Sequence, residues 1–147
     1  MYLWNDPAAT VVSAAREANA EMPIHSVARL EAEFGSVKGK KVVVLGAAYR
    51  GGVKETAFSG VFPTVAELKR LGATVVVHDP MYTDNELHHE GFEPFHFGET
   101  ADAAILQADH AEYVNLTNKE LPGVSVILDG RNIIKSVSGI KIVPIGR

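Results

Sequence analysis

Lys41-Val42-Val43-Val44-Leu45-Gly46 and Ala73-Thr74-Val75-Val76-Val77-His78-Asp79-Pro80 decide the fold. Each is a short, unbroken, β-branched apolar run. Neither alternates apolar with polar residues, so both read as strands covered on two faces. Between them, residues 59–71 read as a helix: Ser59 stands where a cap is needed, Pro63 falls in the first turn, where amide hydrogens have no helical partner, and Gly72 ends the pattern. Strand, helix and strand within about 40 residues make a βαβ unit, whose two strands run parallel.

Working outward, residues 8–34 carry apolar side chains at helical spacing (Val11, Val12, Ala15, Ala18, Met22, then Val27, Leu30, Phe34), with Pro23 predicting a kink or break. This helix starts almost at the first residue, and a long helix feeding a small sheet is the mark of a linker, so the chain is expected to be one piece of a longer protein. Gly35 ends it, and Lys38-Gly39-Lys40 turns into the first strand. Downstream, residues 82–98 are polar and histidine-rich, read as a short helix and a short edge strand around Pro94. Ala103-Ala104-Ile105-Leu106-Gln107-Ala108 is a third strand, followed by a helix to about Leu121. Val124-Ser125-Val126-Ile127-Leu128-Asp129-Gly130 and Lys141-Ile142-Val143-Pro144-Ile145-Gly146 are the last two strands. The expected class is α/β: a Rossmann-like parallel sheet with helices on both faces, preceded by an N-terminal linking helix.

Bulk properties exclude several functions. A length of 147 residues suits one domain, and 46% hydrophobic with 22% charged residues is ordinary for a folded globular chain. The net charge of −4, without a basic run, argues against nucleic acid. No apolar run is long enough to span a membrane and no signal-peptide pattern opens the chain, so a cytoplasmic location is expected. The absence of cysteine removes disulfides, thiolate ligands and a cysteine nucleophile from these residues.

Ligands of open parallel sheets sit beyond the carboxyl ends of the strands. Three such places stand out: Gly46-Ala47-Ala48-Tyr49-Arg50-Gly51-Gly52, His78-Asp79-Pro80, and Asp129-Gly130-Arg131-Asn132. The first is not a dinucleotide fingerprint, because Ala48 and Tyr49 occupy the place where a second glycine lets a pyrophosphate approach the backbone. Asp79 is open to two readings, a turn cap or a ligand group. Tyr49 and Arg50 offer a ring that stacks and a guanidinium that grips phosphate, or else a core aromatic and a solvated charge. Arg131 repeats the logic at another strand end, and two arginines at neighbouring strand ends imply an anion between them. His88, His89 and His96 lack metal-ligand spacing, and His110 reads as a solvated loop histidine.

The ordered set Gly46-Ala47-Ala48-Tyr49-Arg50, the helix after Ser59, Gly72-Ala73 through Asp79-Pro80, Ala101-Asp102-Ala103-Ala104, and Asp129-Gly130-Arg131-Asn132 through Ile145-Gly146-Arg147 resembles the UDP-sugar-binding C-terminal domain of UDP-glucose/GDP-mannose-type nucleotide-sugar dehydrogenases. Ala15-Arg16-Glu17-Ala18-Asn19 with Met22-Pro23 resembles the end of that family's linking and dimerising helical region. The resemblance implies two parts, residues 1–37 from the linking region and residues 38–147 as the nucleotide-sugar domain. It implies that Tyr49, Arg50 and Arg131 contact the nucleotide-sugar and that His25 reaches a neighbouring subunit's site. Arg50 stands where lysine is commoner. The family's arginine toward the nicotinamide cofactor is Ala57 here.

The family oxidises a sugar C6 alcohol twice, to the carboxylate, with two NAD and a covalent cysteine intermediate. The resemblance therefore implies NAD only in the full-length enzyme, with none held tightly by this chain, a missing N-terminal NAD-binding domain, a homodimer, and an inactive fragment. Two other readings stay open: a stand-alone nucleotide- or CoA-binding module, and a purely structural oligomerisation domain.

Overall fold

The computed structural model describes residues 10–145. The expected helix start at Ala8 and strand end at Gly146, with Arg147, lie outside them. Helix α1 (Thr10–Phe34) leads into β1 (Lys41–Leu45), α2 (Val61–Arg70), β2 (Thr74–His78), α3 (Asp84–His89), β3 (Ala103–Leu106), a single 3-10 turn (Ala111–Tyr113), β4 (Val126–Asp129) and β5 (Lys141–Pro144). The five strands form one sheet in the order β2-β1-β3-β4-β5, every pair parallel. The chain leaves β1 toward β2 on one side and returns to β3 on the other. The topological switch point, where such sheets bind ligands, is therefore the gap between the ends of β1 and β3.

Strand residues alternate between two cores, although their sequences do not alternate in polarity. Val42, Val44 and Ile105 face a layer built with Val27 and Leu30 of α1, Val65 and Leu68 of α2 and Leu87 of α3. Val43, Leu45 and Leu106 face the opposite layer, where Phe95, Tyr113, Leu116 and Leu121 cover the sheet. Each such buried aliphatic side chain stabilises the fold by about 1.5–3 kcal/mol relative to its exposed state. The helix expected to run to Leu121 is reduced to the 3-10 turn: Tyr113, Leu116 and Leu121 are buried by irregular backbone that follows the sheet surface.

Three further expectations are refined. Helix α1 passes through Pro23 without a break. The missing amide removes one hydrogen bond, yet Pro23, Val27 and Leu30 are the buried stripe of the helix, and packing of that stripe outweighs the lost bond. Ser26 also donates its hydroxyl to the Met22 carbonyl at 2.8 Å. Helix α2 starts at Val61, with Gly60 rather than Ser59 as the residue before it. The Ser59 hydroxyl accepts from the Val61 amide and donates to the Ala48 carbonyl, tying the helix start to the exit of β1. Around Pro94 the edge is a single parallel bridge to Val77 rather than a strand.

Helix α1 is divided in its exposure. Residues 10–22 are all exposed, and burial begins at Pro23. Leu30→Ala should lower stability by about 2–5 kcal/mol, whereas Val11→Ala, at a position 79% exposed, should change it by about 0.5 kcal/mol or less. Urea unfolding of the two variants checks this.

Candidate functional site

At the exit of β1 the chain turns through Gly46 and presents its next two amides, Ala47 and Ala48, to the Oδ2 atom of Asp79 at 2.8 and 3.2 Å. The other oxygen of Asp79 accepts from the Met81 amide at 2.9 Å. Asp79 is 4% exposed. It is thus a buried carboxylate that fastens the ends of β1 and β2 together, which resolves its two readings in favour of a structural cap.

His110 is the second member of this anchor. Its Nε2 lies 3.1 Å from Asp79 Oδ2, and its Nδ1 accepts from the Gly52 amide at 3.3 Å, so the ring proton sits on Nε2 and points at the carboxylate. The expected solvated loop histidine is instead buried, because the end of β3 needs a donor facing Asp79. Asp109 beside it accepts from the Gly51 amide at 2.8 Å. A side chain at Gly51 would meet the Asp109 carbonyl at 2.1 Å, so only glycine allows this close approach of two loops.

Asp129 does for β4 what Asp79 does for β1. It is 1% exposed and accepts the amides of Arg131, Asn132 and Ile134 at 2.9, 2.7 and 2.8 Å. Asn132 takes the left-handed conformation this turn requires, with φ of 57°. The turn projects Arg131 back across the end of β3. Its Nε donates to the Gln107 carbonyl at 2.8 Å and its Nη2 to the Tyr49 carbonyl at 2.6 Å. A guanidinium has five N–H donors, so three remain for a ligand.

Around Arg131 lies a cleft of about 590 Å³, within the size range of small-molecule sites. Its walls are Tyr49 and Phe58 from the loop after β1, Ser59, Gly60 and Pro63 at the start of α2, Gln107 after β3, Gly130 after β4, and Asn19, Met22, Pro23 and Ser26 of α1. The described lining residues include one cation, Arg131, and no carboxylate. In a chain of net charge −4, this local sign favours an anion.

The sequence-expected site residues therefore part company. Tyr49 and Arg131 meet in the cleft. Arg50 does not line it: its Nε donates to the Tyr49 hydroxyl at 3.1 Å on the exposed side of the loop. The strand ends that carry Arg50 and Arg131 are not neighbours, because β3 lies between β1 and β4; the length of the Arg131 side chain spans that gap. His25 is exposed on α1 and is not part of the lining. Among the other histidines, His96 sits between Asp84 and Glu99 at 3.0 and 2.8 Å, acidic partners that the sequence did not reveal. Among the described residues no group of three or more His, Asp or Glu is placed to hold a metal ion. Sequence reading missed Asp129 and His110 as anchors; the signal available was their position at the end of one apolar strand and in the loop beyond another, where a polar group that is buried needs partners.

Behind the anchor, His78 stacks on Phe97 with centroids 4.0 Å apart. The Tyr113 hydroxyl donates to the His78 carbonyl at 2.9 Å and meets His78 Nδ1 at 3.0 Å. Burial pushes His78 down to about 4 from an ordinary 6.5, with Asp79 opposing the shift. The unfolded chain takes up this proton as pH falls from 6.5 toward 4 and the folded chain does not, so stability is lost through that window and is fully present above it.

A profile of the UDP-glucose/GDP-mannose dehydrogenase family, UDP binding domain, matches residues 43–136. UDP-N-acetyl-D-mannosamine dehydrogenase of Pyrococcus horikoshii is 33% identical over 133 residues, 85% of this chain and 30% of the relative. UDP-glucose 6-dehydrogenase of Bacillus subtilis is 27% identical over 132 residues, 84% of this chain and 29% of the relative. The solved UDP-N-acetyl-mannosamine dehydrogenase of Staphylococcus aureus shares the fold at 24% identity, with a TM-score of 0.77 over 95% of this chain and 34% of its own. The chain spans about 30% of the length of the curated relatives it matches.

Two outcomes follow for the anchor. Asp79→Ala leaves several buried donors unpaired and should cost about 3 kcal/mol or more, read by urea unfolding. His78→Asn should flatten the loss of urea midpoint between pH 6.5 and 4.5 relative to the unaltered chain; parallel pH profiles of the two proteins would contradict the assignment.

Proposed function

The chain belongs to the UDP-glucose/GDP-mannose dehydrogenase family, matching its UDP binding domain, and from that premise we propose that it holds the nucleotide of a UDP-sugar in the cleft at the ends of β1, β3 and β4. The observation that carries this reading is Arg131. Among the described residues of the cleft it is the one cation and there is no carboxylate, and it is held in place by two backbone carbonyls with three donors left over. A guanidinium so fixed loses little freedom on gripping a phosphate, and its fork matches two phosphate oxygens at once. Tyr49 supplies the adjacent aromatic surface. Arg50, on the rim, adds charge toward the diphosphate, and His25, exposed on α1, is directed to a neighbouring copy. Residues 1–37 serve as the linking and dimerising region, with the exposed stretch 10–22 as the surface for the rest of the assembly.

In the complete protein we propose an NAD-dependent oxidation of the sugar C6 alcohol to the carboxylate. Its chemistry is not assigned to these residues, which hold no cysteine. Nor do they fit NAD. A pyrophosphate at the β1 turn needs free backbone amides and a glycine for close approach. Here the Ala47 and Ala48 amides are already donated to Asp79, and position 48 carries a side chain. The cofactor therefore belongs elsewhere in the full-length enzyme, and the bound sugar is presented to it from this cleft.

Calorimetric titration of the chain with UDP should give saturable binding, weakened about 10-fold or more in Arg131→Ala by loss of a charge-assisted hydrogen bond. Arg131→Lys should also bind weakly, since one ammonium cannot hold two carbonyls and a phosphate in the same geometry. Equal affinities for the unaltered chain and Arg131→Ala, both with native melting temperatures, would remove Arg131 from the site. No binding of UDP at millimolar concentration would overturn the reading itself.

A further inference from the structure

Phe58 is 99% exposed, the most exposed of the large apolar side chains described. It also has φ of 62°, a left-handed conformation that bulky residues avoid. The Ser59 amide donates to the Thr56 carbonyl at 2.9 Å, closing a four-residue turn in which Phe58 is the third residue. With positive φ at that position alone, the turn is of the kind that ordinarily takes glycine or asparagine there. Phenylalanine thus stands where both its backbone and its side chain are disfavoured, and in the free chain it buries nothing in return.

The base of this turn is firmly held. Ser59 is buried and bonded to the Ala48 carbonyl and the Val61 amide, the Ala57 amide donates to Glu55, and the Tyr49 amide donates to the Glu55 carbonyl. The residue therefore stands on a fixed support at the edge of the cleft, which it lines together with Tyr49, Ser59 and Arg131. Strain maintained by surrounding structure at a binding cleft marks a residue kept for what it contacts rather than for folding.

We infer that Phe58 is a ligand-binding residue of this cleft, an aromatic wall that stacks on the planar base of the bound nucleotide while Arg131 holds its phosphates. This rests on the nucleotide reading of the cleft given above. Stacking suits the position because a base offers an apolar face to the ring and a polar edge to water, so the exposed ring gains cover without any buried polar group losing a partner. Base stacking on an aromatic side chain is ordinarily a 5- to 100-fold effect on affinity.

The test is calorimetric titration of UDP into the unaltered chain and into Phe58→Ala, Phe58→Gly and Phe58→Tyr. Phe58→Ala and Phe58→Gly should weaken UDP binding about 5- to 100-fold, and Phe58→Tyr should retain it. Phe58→Gly should hold or raise the melting temperature, since glycine adopts this φ freely, so that weaker binding is not a folding defect. UDP affinity within about twofold of the unaltered chain in Phe58→Ala overturns the inference and leaves the nucleotide reading intact. The same affinity with loss of self-association shows instead that the ring serves a protein contact, which also overturns it. Failure of the unaltered chain to bind UDP overturns both.

Discussion

The carboxylate of Asp79 is the constraint on which the site depends. Buried at the end of β2, it takes the amides of Ala47, Ala48 and Met81 and faces the Nε2 proton of His110. These partners come from the exits of β1, β2 and β3, and β1 and β3 flank the switch point. A buried carboxylate without such donors would be costly, and donors without the carboxylate equally so, which makes the arrangement self-consistent only when all are present. Once it is formed, the loop carrying Tyr49 has a fixed path, and its carbonyl is available to receive Arg131 from the turn that Asp129 builds.

The same constraint separates this domain from a dinucleotide-binding one of similar outline. In both, a strand ends in a turn whose amides are the natural anion site. Here an internal anion, Asp79, occupies those amides, and the cationic centre moves to the ends of β3 and β4, where Arg131 lies. The cleft that results borders α1 and the start of α2, is free of carboxylates among its described residues, and is edged by the strained and exposed Phe58.

Much of the fold was legible in the sequence because the strands are unmixed apolar runs. Val42-Val43-Val44-Leu45 and Val75-Val76-Val77 leave no other reading, and their parallel pairing follows from the intervening helix. No break occurs at Pro23 because helix continuity depends on what the following turns bury, and Val27 and Leu30 pack into the core. The stretch after β3 misled because Tyr113, Leu116 and Leu121 recur near helical spacing, while their burial is achieved by irregular chain lying on the sheet. At the site, the residue types after each strand indicated where to look, and Tyr49 and Arg131 do meet. Arg50 stays with Tyr49, its guanidinium bonded to the phenol, but that pairing keeps it out of the cleft lining, which adjacency in sequence does not reveal. The partners of Asp79 and Asp129 are contacts between strand ends remote in sequence or backbone amides of a turn, neither of which residue identity reveals.

The most direct test of this account is a backbone amide NMR titration of the chain with UDP. Shifts should concentrate at Tyr49, Phe58, Gln107, Gly130 and Arg131, with the Ala47 and Ala48 amides unmoved because Asp79 already holds them. Large shifts at Ala47 and Ala48 with Arg131 and its turn unperturbed would contradict it, placing the phosphates at the β1 turn instead of the cleft.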